Sequence, residues 1–179
     1  MTFPRPKDPL LAAGQLLAML MQGLMALAAV AVIIALPLAL IFQNELTAEL
    51  RNEFADPSLT FPILGIAALL LVLAVIVALA FFFFGRLRQI IASVGEGDPF
   101  IPENAERLTL MAWLMLAIQL AAIPAQALAI FLTQRLEGAE AEIDGGFDLN
   151  GVLIVILLFI LARIFRQGTA MRADLEGTV

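Results

Sequence analysis

Cysteine and histidine are both absent from these 179 residues. Their absence removes disulfides, thiolate nucleophiles, haem ligation through imidazole and zinc sites built on Cys or His. It carries no information about redox compartment. Charge is missing from long tracts as well: residues 10–42, 61–84, 108–132 and 149–162 contain no Asp, Glu, Lys or Arg. No serine lies in any of these tracts, and no acid pair lies at their centres. Nucleophile, general base and metal ligands for an intramembrane reaction are therefore lacking, which argues against an enzyme. No cofactor is implied. No internal repeat or inverted symmetry relates the halves, which weakens a transporter built from paired repeats.

What is present is apolar. Hydrophobic residues make up 62% of the chain, and the mean hydropathy is +1.00. Soluble domains run at roughly 45–50% apolar, so the excess points to lipid as solvent. A helix needs about 20 apolar residues to cross ~30 Å of hydrocarbon. The expectation is an all-α integral membrane protein, a single domain over residues 1–179. Four transmembrane helices form an up-down bundle with spans at about 20–42, 61–84, 108–132 and 149–165. The first tract is far longer than the ~7–15 residues of a signal-peptide core and is expected to stay in place.

The connections are polar. Residues 1–9 hold three prolines and two cations and read as an irregular arm. The first helix is expected to start near the surface at Leu10 and to cross from about Gln22, with Pro37 kinking it and Pro124 kinking span three. Residues 43–60 and 133–150 read as acidic connections, 85–107 as a turn region broken by Gly95, Gly97, Pro99 and Pro102, and 166–179 as a tail. Eight cations (Arg5, Lys7, Arg86, Arg88, Arg107, Arg163, Arg166 and Arg172) fall on one side, and only Arg51 and Arg135 on the other. By the positive-inside bias both termini and the 85–107 connection are cytoplasmic. The outer connections hold nine acids against two cations, a net of −7. Phe81 to Phe84 and Trp113 then lie at the inner interface, where aromatic rings are favoured.

Lipid supplies no hydrophobic push between helices, so close backbone approach through small residues matters more. Ala117, Ala121, Ala125 and Ala129 form a stripe on span three, and Ala31, Ala35 and Ala39 a shorter one on span one. Span four has no small residue between Gly151 and Ala162. Spans one and three are expected at the centre, with span four most exposed to lipid. Gln119 and Gln126 share one face of span three, either as interhelical hydrogen-bonding groups or as part of a substrate path.

The most distinctive stretch runs Gly97-Asp98-Pro99-Phe100-Ile101-Pro102-Glu103-Asn104-Ala105-Glu106-Arg107-Leu108. Each proline biases its predecessor toward extended backbone, and Pro102 suits the first turn of a helix. Glu103 and Glu106 complement the positive end of that helix dipole. This stretch resembles the Gly-x-Pro-Phe, Asn, Arg-Leu pattern of a bacterial family of small membrane proteins, domain of unknown function 2975. Phe165-Arg166-Gln167-Gly168 and the closing Arg172-Ala173-Asp174-Leu175-Glu176-Gly177-Thr178-Val179 are also similar to it. The family ending reads Asp-Leu-Thr-Val; here Glu176 and Gly177 separate the two halves.

The resemblance implies a four-helix inner-membrane protein, often encoded beside a small helix-turn-helix regulator, and brings no catalytic residue with it. Asp98, Phe100, Asn104, Arg107, Arg166 and Arg172 are the candidate docking residues for such a partner. A purely structural turn and headgroup-seeking arginines are the other account of the same residues. Gln119, Ala121, Ala125 and Gln126 are the candidate packing residues. A membrane regulator that captures the transcription factor is one functional expectation; a transporter or channel subunit for a small or apolar solute is the alternative. Direct nucleic-acid binding is not expected, because the cation-rich side carries eight cations against seven acids without a basic stripe.

Overall fold

Unbroken apolar sequence in lipid must satisfy its own backbone hydrogen bonds, and the helix does so within one segment. The computed structural model describes residues 9–53, 60–137 and 149–176, all helix apart from short turns and with no strand among them. The elements are α1 (Pro9–Ile41), α2 (Gln43–Glu53), α3 (Ile63–Gly95), α4 (Pro102–Glu137) and α5 (Leu149–Glu176). Four of these, α1, α3, α4 and α5, are long and apolar enough to cross a membrane. The N-terminal arm with Arg5 and Lys7 lies outside the described residues. So do most acids of the outer connections and the closing Gly177, Thr178 and Val179.

Each long helix overshoots the bilayer. α1 and α3 have 33 residues each, about 50 Å at 1.5 Å per residue, against a hydrocarbon core of ~30 Å. α1 is one continuous helix from Pro9, and Pro37 and Pro124 lie inside α1 and α4 without ending them. The acidic connection after span one is not all loop: residues 43–53 form α2, almost continuous with α1. The Phe42 N–H donates to the Leu38 carbonyl at 2.9 Å, and the Leu46 N–H to the Phe42 carbonyl at 2.9 Å. The turn region 85–107 is broken only between Gly95 and Pro102, because Arg86 to Val94 continue α3. The tail is helical too, since α5 runs on to Glu176.

The long helices pack antiparallel in chain order, α1 on α3, α3 on α4 and α4 on α5. Gly14 of α1 meets Ile91 of α3, and two turns along Gln22 meets Gly85. Gly65 of α3 meets Leu132 of α4, and Gly151 of α5 meets Gln119 of α4. This order corrects the expectation that spans one and three are central. α4 lies between two long helices, but its companion at the centre is α3, and α1 takes an edge. Leu16, Leu20, Leu24, Leu27, Ile33 and Ile41 of α1 are all exposed. α5 is less exposed than expected, because Gly151, Val155, Leu158 and Ala162 recur along one face and are buried. Alanine abundance misled here: large side chains at helical spacing bury as well as small ones when a neighbour offers the groove.

The described core gathers at the end where α3 turns into α4. Ile90, Leu108, Met111, Ala112, Leu158 and Ala162 form its buried cluster, with Phe83, Leu87, Met115 and Phe165 around it.

A candidate docking face at the α3–α4 turn

Glycine and two prolines build this turn. α3 ends at Gly95, and Gly97 just beyond it has a φ of 93°, in the left-handed region that glycine occupies without strain. The Gly97 N–H donates to the Val94 carbonyl at 3.0 Å and the Asp98 N–H to the Ser93 carbonyl at 3.3 Å. That pair of bonds is a Schellman ending, which satisfies carbonyls the helix would leave open. Pro102 then opens α4, where its missing N–H is no loss.

Asn104 ties the two helix ends together. It is fully buried. Its Nδ2 donates to Ser93 Oγ at 2.7 Å and to the Pro99 carbonyl at 2.9 Å. Ser93 Oγ in turn donates to the Ile90 carbonyl at 2.8 Å, and Arg107 Nη1 donates to Asn104 Oδ1 at 2.8 Å. Among the described residues no buried side-chain N or O lacks a partner. A fully satisfied buried network holds one geometry, since each group left unpaired would cost about 1–3 kcal/mol.

The turn also grips α5. Phe100 lies against Phe165 with ring centroids 5.3 Å apart and over Gly168, where an added Cβ would come within 2.7 Å of the ring. Only glycine fits there with Phe100 in place. Arg172 forms an ion pair with Asp98, both side chains half-exposed, worth roughly 0.5 kcal/mol in such a setting. Arg166 Nη2 reaches Thr109 Oγ1 at 3.5 Å, a weak contact between α5 and α4.

Of the six candidate docking residues, Asp98, Phe100 and Arg172 therefore meet where the turn crosses α5, and Asn104 and Arg107 brace that turn from inside. Arg166 lies on the exposed flank of α5. Asn104 presents no surface, so it supports the face rather than offering a contact. Ser93 belongs to the site without having been singled out by sequence, and Phe165, quoted with Gly168 in the family resemblance, was not among the docking candidates. Ser93 carried a signal, as the only hydroxyl-bearing residue in α3. Of the packing candidates, Gln119 meets Gly151, while Gln126 lies two turns along the same face, above the level at which α5 begins. Ala121 and Ala125 are half-buried. Ala125 lies two turns from Leu132, on the side of α4 that meets α3.

Two open grooves flank the turn. One, of about 290 Å³, is lined by Arg86, Glu103, Glu106, Arg107 and Leu110. The other, of about 430 Å³, is lined by Thr109, Phe159, Ala162, Arg163, Arg166 and Gln167. Among the described residues no group of three His, Cys, Asp or Glu side chains is placed to hold a metal ion.

Four long apolar helices with polar turns define a multi-pass membrane protein in contact with the lipid bilayer. A family model described as "protein of unknown function (DUF2975)" matches residues 17–179, nearly the whole chain, and the chain belongs to that family. No curated protein and no solved structure matches it.

Proposed function

We propose that this chain is a non-enzymatic protein of the bacterial inner membrane that holds a small helix-turn-helix regulator at the face formed by the α3–α4 turn and the end of α5. The observation that carries the reading is the pinning of that turn onto α5 through Asp98 and Phe100, with the buried Asn104 network bracing the turn from inside. A surface already ordered before binding loses less conformational freedom when a partner arrives. α5 continues 13 residues beyond Arg163 to Glu176, about 20 Å of helix past its last apolar turn. Along it Gln167, Met171 and Asp174 are exposed. In this reading the cation-rich end is cytoplasmic, the only side on which a DNA-binding partner is available.

Co-purification of the regulator encoded beside the gene tests the proposal. The intact protein should retain it from solubilised membranes, and a chain ending at Ala170 should not, although Gly168 and the seat of Phe100 remain. Removal of the membrane protein should change transcription from the regulator's promoter. Equal recovery by both chains would remove the part of α5 beyond Ala170 from the docking face. Reporter fusions after Arg51 and Arg135 should read periplasmic, and those after Gly97 and Val179 cytoplasmic; the reverse pattern would exclude a cytoplasmic partner.

The transport alternative needs one polar path. Gln22 meets α3 at Gly85 and Gln119 meets α5 at Gly151, so these amides belong to different helix interfaces. That separation favours the docking reading.

A further inference from the structure

The two grooves beside the turn have similar positions and opposite electrostatics. In the smaller one, Arg86 and Arg107 face Glu103 and Glu106, and Arg107 also donates to Asn104. Its charges cancel. In the larger one, between α4 and α5, Arg163 and Arg166 are the only charged residues in the lining, and both are exposed. Neither makes an ion pair with an acid among the described residues, and Arg166 is steadied only by the Thr109 hydroxyl.

The larger groove also straddles the edge of the apolar tract. Arg163 is the first charge after residues 149–162. Phe159 and Ala162 therefore form the apolar end of the groove, and Arg163, Arg166 and Gln167 the polar end. Trp113 packs edge-on against Phe159 with centroids 5.4 Å apart and is 57% exposed. An exposed Trp at the end of an apolar tract marks the headgroup level.

We propose that this groove binds the phosphate headgroup of an anionic phospholipid, with the guanidiniums of Arg163 and Arg166 on the phosphate and the first acyl carbons along Phe159. Guanidinium groups match phosphate oxygens in paired hydrogen bonds. Basic pockets between membrane helices are a known form of lipid recognition. Free phosphate would share the arginine chemistry but has no use for the apolar wall. Arg166 and Gln167 also lie on the stretch of α5 offered to the regulator, but Thr109, Phe159, Ala162 and Arg163 of the lining lie off the α3–α4 turn, so lipid binding does not require the regulator.

Thermal melting in detergent with added phosphatidylglycerol or phosphatidylcholine tests it, with native mass spectrometry counting retained lipids. Phosphatidylglycerol should raise the melting temperature and stay bound, and phosphatidylcholine should do neither. The double variant Arg163→Gln/Arg166→Gln should bind phosphatidylglycerol roughly thirtyfold more weakly, the loss expected for two cations near a headgroup. Arg86→Gln/Arg88→Gln removes the same charge from α3 and should bind as the parent does. Equal binding by the two double variants, or equal effects of the two lipids, would overturn the proposal. Displacement of the lipid by millimolar inorganic phosphate would also overturn it, in favour of a small-anion site.

Discussion

The two ends of the bundle are built on different principles. At the turn end, Ile90, Ser93, Asn104, Ala105, Leu108, Met111 and Ala112 are buried within three turns of helix on either side of the chain reversal. At the opposite end, Leu132 is the one buried residue among those described on α1, α3 and α4. That end has Gly65 close against Leu132, Arg135 over the Phe131 ring at 5.2 Å, and Phe61 N–H donating to Thr47 Oγ1 at 3.3 Å. The turn end is packed like a small soluble domain, with a satisfied polar network at its centre. The contrast follows from solvent. Past Arg86 and Arg107 the chain has water beside it, so around Ile90, Ser93, Asn104 and Ala105 burying apolar surface and pairing polar groups both stabilise. Leu108, Met111 and Ala112 lie inside the tract and form one buried cluster with Leu158 and Ala162 of α5. Within the tracts, lipid solvates leucine as well as a neighbouring helix does, so side chains need not be buried in protein.

Asn104→Leu should break this contrast most sharply. Ser93 Oγ, the Pro99 carbonyl and Arg107 would each lose a partner, and the variant should lose about 3 kcal/mol of resistance to unfolding in mild detergent. A parent-like melting curve would mean that the network is incidental. Gly168→Val comes next: its Cβ would strike the Phe100 ring and should cost about 2 kcal/mol through forced repacking. Proteolysis should then cut the 96–101 turn faster than in the parent, because the turn loses its seat on α5.

Ala125→Leu probes the lipid-solvated part of the bundle. A larger side chain on the α3-facing side of α4 should cost about 1 kcal/mol, read as a lowered melting temperature, while Ile156→Leu on the exposed side of α5 should be silent. Equal melting of the two variants would deny α4 its central place. Arg172→Ala should show the smallest loss, roughly 0.5 kcal/mol for a half-exposed pair. Raising salt should shrink the difference between variant and parent, since exposed ion pairs are screened.

Sequence by itself determined the solvent and the coarse architecture. Four charge-free tracts can satisfy their backbones in lipid only as helices, and that inference needs no neighbour. The turn was legible for the same local reason: Gly97 and Pro102 act on their own residue's backbone, and both stand where glycine and proline are required. Helix order and helix ends were decided by tertiary structure. Alanine spacing on α1 looked like an interface, yet α1 lies at the edge, because in lipid a small-residue stripe is a permission to pack and the partner's shape selects who packs. Residues 166–176 read as a tail because their polarity lacks an apolar period. They are helical in the fold, with Phe165 and Gly168 receiving Phe100 and Arg172 meeting Asp98 across 74 residues of chain. Ser93 gave a faint signal alone; its role exists only once Asn104 is brought within 2.7 Å of it. Contacts of this kind join residues whose separation in sequence carries no period, so the folded chain alone brings them together.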